Sequence, residues 1–284
     1  MSRESRKRLG AVCDTHFHIF GDRKKYPLLA ELRSQPPDAP LSRFLQVSEA
    51  EGVTRMVFDQ PSHYGLNNTY MLDSIREVGF GRARAVVAVD ENNVTDAELK
   101  ALHDRGARGI RVNYGYRETR EAHPDIPKRA AEHAKKLASR AAALGYHLEF
   151  LLPNWALQEL IPVLSELPCD FSVGHMGVFP AAQGAGQKGF SDFLKLHAKG
   201  RCWAKFTGVY RLSKLPDFSD ITPLARAFVE NNPERIIWGT DWPFLSHLDA
   251  VTYAQTLDLF ENWVPDAANQ KKILVDNPAR LFGF

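Results

Sequence analysis

"VCDTHFHIFG", residues 12–21, is the stretch on which the fold turns. Read as a β-strand, whose residues i and i+2 share a face, it projects His16 and His18 together, with Asp14 on the same side. Imidazoles grouped in this way make half of a metal site, or an acid/base pair beside a bound substrate. Seven further runs match it in length and in β-branched or aromatic content: "TRMVFDQ" (54–60), "ARAVVAV" (83–89), "RGIRVNY" (108–114), "YHLEFLL" (146–152), "DFSVGHM" (170–176), "CWAKFTG" (202–208) and "RIIWGTD" (235–241). Between them lie stretches with apolar residues at three- and four-residue spacing, among them 41–52, 67–79, 95–106, 127–145 and 221–233. Several of these end in Gly, a common helix stop.

Eight strands alternating with helices predict a single-domain (β/α)8 TIM barrel over residues 11–284, preceded by a basic, flexible leader at 1–10. No G-x-G-x-x-G and no P-loop follows any strand, which removes the usual reasons to prefer an open doubly wound sheet. Residues 22–42, "DRKKYPLLAELRSQPPDAPLS", are Pro-rich and without period, and predict an irregular excursion over the C-terminal mouth.

Composition narrows the class. Lys and Arg number 36 against 34 Asp and Glu, a net charge of +2, so no basic surface marks a nucleic-acid partner. Hydrophobic residues make up 44% of the 284, enough for a large core, yet no apolar run approaches the roughly 20 residues that cross a bilayer. No signal-peptide core follows the basic start. Cys13, Cys169 and Cys202 are odd in number and set in apolar surroundings, which fits free thiols in a reducing compartment. A soluble cytoplasmic protein is expected.

In such barrels the active site lies at the C-terminal strand ends. There the chain offers His16 and His18 on strand one, Asp59, Gln60 and Ser62 on strand two, and Arg111, Asn113 and Tyr114 on strand four. His175 ends strand six, Thr207 to Arg211 follow strand seven, and Asp241 ends strand eight. A carboxylate after the apolar "RIIWGT" can take a proton from water or hold a metal-bound hydroxide. The imidazoles of His16, His18 and His175 can ligate a metal or polarise a carbonyl. Gln60 and Ser62 are candidate hydrogen-bond partners of a substrate, although "QPSH" is also good turn chemistry. His63, Tyr114, Trp242 and His247 are placed as pocket lining.

These residues resemble a family. H-x-H on strand one, "GHMG" on strand six and "GTDWP" on strand eight are similar to the amidohydrolase superfamily of the amidohydrolase 2 type. With "DQPSHYGLNN", "RGIRVN" and "WAKFTGVYRLS" in that order, the likeness is closest to its lactonase branch, which includes 2-pyrone-4,6-dicarboxylate lactonases and sulfomuconolactone hydrolases. The resemblance implies a barrel that hydrolyses a cyclic ester, 2-pyrone-4,6-dicarboxylate or a related acidic lactone of aromatic catabolism, with Asp241 activating water. It also implies arginine clamps for substrate carboxylates at Arg111, Arg117 and Arg211, consistent with the two parallel hydrogen bonds a guanidinium offers.

Two departures qualify it. Val178 stands where the pyrone lactonases carry Arg, which points to a mono-anionic lactone or a differently placed acid group. Metal-dependent relatives carry a carboxylated Lys on strand four or a His ending strand five; here His147 begins strand five, at the wrong end, and Glu149 is its only carboxylate. His16, His18 and Asp241 could still hold one zinc ion, but the resemblance to the pyrone lactonases, which work without metal, implies hydrolysis without a cofactor. Two other functions remain open: a metal-dependent decarboxylase of a related acid, and a catalytically silent ligand-binding barrel. Oligomeric state is not legible.

Overall fold

The computed structural model describes residues 2–32 and 34–284. Eight parallel strands follow one another around the barrel in chain order. They are β1 (Cys13–Phe17), β2 (Arg55–Asp59), β3 (Ala83–Val87), β4 (Ala107–Asn113), β5 (His147–Leu151), β6 (Phe171–Val173), β7 (Cys202–Phe206) and β8 (Ile236–Trp238). Seven of the eight runs picked out by composition contain a strand whole, and the eighth, 108–114, misses only the first residue of β4, Ala107. Helices cover the outside, the longest being Ile126–Ala143. Strands buried on both faces must be apolar outward as well as inward, which is why they read as near-continuous hydrophobic runs.

The seam between β8 and β1 closes largely through residues that follow the two strands. Asp241 N–H donates to the His16 carbonyl at 2.8 Å, and His18 N–H donates to the Trp242 carbonyl at 2.7 Å. Thr15 Oγ1 donates to the Trp238 carbonyl at 2.8 Å. Closure and site assembly thus share the same backbone: His16, His18 and Asp241 come together because the barrel shuts there.

The opposite end is plugged. Cys13, Val57, Val86, Trp203 and Ile237 meet Leu281 and Phe282 of the final helix, Asn277–Phe282. His147 sits at this end, its ring edge-on to Phe282.

The basic start is a correction to the flexible leader. Met1 lies outside the described residues, but Arg3–Leu9 form a helix with Ser2 as N-cap. Arg6 is buried, bonded to Glu51 at 3.1 Å and Glu261 at 2.5 Å. Side-chain pairing, invisible in a run of like charges, anchors it to the barrel. The excursion after β1 is irregular and stands over the mouth: Leu29, Glu31, Leu32 and Ser34 line the cleft there.

Candidate active site

Three histidines, two carboxylates and two guanidinium groups converge where the strands end. His16 lies in β1 and His18 directly follows it, but the strand is not regular. The pairing register slips between Asp14 and Phe17, an irregularity that resets which residues face inward. Asp14 consequently turns away from the imidazoles, correcting the expectation that it shares their side. It accepts hydrogen bonds from Thr240 Oγ1 at 2.7 Å, Thr240 N at 3.1 Å and Tyr253 Oη at 3.2 Å, and so braces β1 to β8.

His175 and Asp241 occupy left-handed backbone. His175, Met176, Gly177 and Val178 all have φ between 50° and 73°, and Asp241 has φ 65°. Such a conformation costs a non-glycine residue roughly 1–2 kcal/mol and tends to persist where a site needs a side chain aimed off the strand direction. The neighbouring backbone makes room. A Cβ at Gly208 would meet His175 Nδ1 at 2.4 Å, and one at Gly239 would meet His16 N at 2.6 Å.

Asp241 has two unlike oxygens. Oδ2 accepts from Tyr210 Oη at 2.6 Å and Arg211 Nε at 2.8 Å. Oδ1 faces His18 Nε2 at 3.4 Å and His16 Nε2 at 3.5 Å. Neither Oδ1 nor His16 Nε2 finds a hydrogen-bond partner among the described residues. Burial alone would raise the Asp241 pKa, but the Arg211 guanidinium and the imidazoles overrule it and hold the carboxylate ionised, well below its usual range.

The histidines differ in the same way. His18 Nδ1 lies 2.8 Å from the Asp59 carbonyl, which can only accept, so Nδ1 carries the proton and Nε2 presents a lone pair. Burial lowers its pKa. His175 is also kept neutral by burial, against the pull of Asp241. Its Nδ1 lies 2.7 Å from Thr207 Oγ1, which already accepts the His175 backbone N–H. Thr207 donating its own hydrogen to Nδ1 leaves His175 with an N–H at Nε2. For His16, burial works against the charged ring, but Asp59 at 2.7 Å and Asp241 outweigh it and lift the pKa to about 10.

The residues fit a divalent cation. His16 Nε2, His18 Nε2 and Asp241 Oδ1 lie within 4.8 Å of one another. Zinc–ligand distances of about 2.0–2.1 Å in a tetrahedron set neighbouring ligand atoms roughly 3.4 Å apart, close to the two separations from Asp241 Oδ1. His16 Nε2 can hold a proton or a cation, not both.

A cleft of about 540 Å³ opens above, lined by His18, Ser62, His63, Arg111, Asn113, Tyr116, Arg117, His175, Arg211 and Asp241, among others. Its three guanidinium groups are not equivalent. Arg111 is paired with Asp59 at 3.1 Å and donates to the Gln60 carbonyl at 2.5 Å. Arg211 is held by Asp241 and by Tyr116 Oη at 2.6 Å. Arg117 is exposed at the rim, 3.2 Å from His247 Nε2, and pairs with no carboxylate among the described residues.

Some expected residues fall elsewhere. Tyr114 lies outside the lining and packs beside His133 under the Arg129 guanidinium, because its side chain leaves β4 on the helix side; Tyr116, two residues on, takes the cleft position. The Gln60 side chain braces its own loop, donating to the Gly65 and Asn67 carbonyls, and only its backbone serves the site. Trp242 is buried against Phe44. Sequence reasoning placed Asp59, and Tyr210 within 207–211, at strand ends without giving either a role, and missed Lys205 and Tyr116 altogether. The one available signal was the odd lysine inside the apolar run "CWAKF".

Residues 13–284 match the family described as Amidohydrolase. The chain is 34% identical to a 2-pyrone-4,6-dicarboxylate hydrolase of Comamonas testosteroni, covering 96% of this chain and 90% of that one. It is 31% identical to a 4-sulfomuconolactone hydrolase of Hydrogenophaga intermedia, over 95% and 88%. A crystal structure from Acinetobacter baumannii, provisionally named a 2-pyrone-4,6-dicarboxylic acid hydrolase and holding citric acid, superposes with a TM-score of 0.79 at 28% identity, over 96% of this chain and 100% of that one.

Proposed function

The chain belongs to the amidohydrolase family and is a hydrolase; from that premise we propose that it opens a cyclic ester of a carboxylate-bearing small molecule, 2-pyrone-4,6-dicarboxylate or a related lactone. The observation that carries the proposal is the asymmetry of Asp241. One oxygen is saturated by Tyr210 and Arg211, and the other, ionised and unpartnered, faces the imidazoles at the cleft floor.

The free oxygen takes a proton from a water entering from the cleft. As that water attacks the lactone carbonyl, negative charge develops on the carbonyl oxygen, and the His175 Nε2–H and the charged His16 ring are the donors that stabilise it. The ring C–O bond then breaks, and the proton held on Asp241 passes to the departing oxygen. Water has added across the ester, giving a hydroxyl and a carboxylic acid that releases one proton near neutral pH. A divalent ion held by His16, His18 and Asp241 would supply Lewis acidity and a more acidic water.

Arg117 anchors a substrate carboxylate, since its fork is not already committed to a protein carboxylate, while Arg111 and Arg211 add positive field deeper in the cleft. Citric acid in the Acinetobacter relative supports recognition of clustered carboxylates. Val178 is outside the cleft lining and offers no donor to a substrate carboxylate, so recognition falls to Arg117, Arg111 and Arg211.

A lactone panel that includes 2-pyrone-4,6-dicarboxylate, followed by pH-stat with native and chelator-treated protein, tests this. Acid release is expected. If it survives chelation, the side chains suffice; if it is lost and zinc restores it, the three-ligand set is loaded in the working enzyme. Release of CO2 from a ring-intact acid without ester hydrolysis would replace the proposal with the decarboxylase alternative.

A further inference from the structure

Lys205 sits in β7, fully buried, beneath the imidazoles and outside the cleft lining. Its Nζ lies 3.0 Å from His16 Nδ1 and bonds Glu149 Oε2, which also accepts from Ser172 Oγ at 3.4 Å. A buried ion pair returns little net stability once both ions have lost their water, and an apolar pair of similar volume would hold the barrel as well. What is informative is where the pair stands.

His16 Nδ1 meets two carboxylates, Asp59 Oδ2 at 2.7 Å and Glu149 Oε1 at 3.5 Å, and one side-chain N or O atom from each of the three residues lies within 4.8 Å of the other two. Like charges this close, shut off from water, push apart unless cations stand beside them. Arg111 pairs with Asp59 at 3.1 Å and reaches Glu149 only at 3.8 Å. Of the Lys and Arg side chains beside it, Lys205 is the one that hydrogen-bonds Glu149.

We propose that Lys205 is a positioning residue for His16. By neutralising Glu149 it lets both carboxylates face Nδ1, and a ring pinned at Nδ1 aims Nε2 at Asp241 Oδ1. Lys205 touches no substrate. The assignment rests on the hydrolytic role proposed above.

The test is charge rescue. Lys205→Met leaves Glu149 unbalanced, and kcat is expected to fall about 100-fold, as misplacement of a reacting group by an ångström can do, with KM within about threefold. Adding Glu149→Gln removes the charge that needed balancing, and kcat should recover at least about tenfold over the single variant. A folded Lys205→Met protein that loses less than about tenfold in kcat overturns the proposal, as does a double variant that recovers less than that.

If Lys205→Met does not fold, the double variant decides alone, since it holds no unpaired buried charge. A kcat within about tenfold of native supports the proposal, and a larger loss in folded protein overturns it. The 15N ring signals of His16 give a readout without turnover: Lys205→Met should change them and Glu149→Gln should return them. A native protein that hydrolyses no lactone would sink the hydrolytic role while leaving those signals to judge Lys205.

Discussion

The two ends of this barrel hold the same kinds of side chain and use them oppositely. At the N-terminal end, His147 Nδ1 pairs with the Arg108 carbonyl at 3.1 Å, and Arg84 Nε donates to the Phe282 carbonyl at 3.1 Å. Arg108 donates to the His103 and Ala107 carbonyls. Backbone oxygens take His147 Nδ1 and the guanidinium donors, and although His147 Nε2 is left without a partner, a plug of Phe282 and Leu281 seals that end off. At the C-terminal end, His16, His18, His175, Arg111 and Arg211 answer mainly to the side chains or carbonyls of other site residues, leaving Asp241 Oδ1 and His16 Nε2 unpartnered. A histidine or arginine at a strand end is therefore not informative by itself. An unfilled polar atom that borders an open cleft is, and Asp241 has one while His147 does not.

The sharpest way to break that contrast is Asp241→Asn. Removing the base at the mouth should cut lactone turnover by roughly 10³- to 10⁴-fold, measured by pH-stat, and thermal stability should fall as well, because the buried Arg211 guanidinium loses its carboxylate partner. An active Asp241→Asn protein would abolish the distinction. Next in size is Phe282→Ala at the other end, where loss of a buried aromatic should lower unfolding free energy by about 3–5 kcal/mol in a denaturant titration. Turnover by the folded fraction should be unaffected; a matching loss of kcat would show that the two ends are coupled.

Arg117→Met probes the rim, where a charged hydrogen bond to a substrate carboxylate is at stake. Such a bond contributes about 1.5–3 kcal/mol, so KM should rise about 10- to 100-fold with a smaller change in kcat. The smallest expected effect is Tyr114→Phe. Because this ring lies on the helix side of β4, kcat/KM should stay within about twofold of native; a larger change would bring Tyr114 into the site.

The regular parts of the molecule were legible because their periods are local. Apolar runs of strand length, amphipathic stretches ending in Gly and the H-x-H on the first strand announce themselves without reference to the rest of the chain, and the order of their occurrence is the order of the barrel. The excursion at 22–42 was legible for the same reason, as Pro-rich sequence with no period. Irregularity hid the rest. A single register slip in β1 sends Asp14 to Thr240 and Tyr253 instead of to the imidazoles. Left-handed backbone at His175 and Asp241 re-aims two side chains that strand alternation alone would misplace.

Local periodicity in the chain thus settled the architecture, the family likeness and the ends of strands where chemistry could occur, because hydrophobic pattern and short motifs depend on neighbours in sequence. Only folding decided which donors would be spent on protein partners and which left for a substrate. Lys205 meets Glu149 from 56 residues away, and Arg211 meets Asp241 from 30. Pairings across such separations follow from barrel closure and burial, and no nearest-neighbour pattern records them.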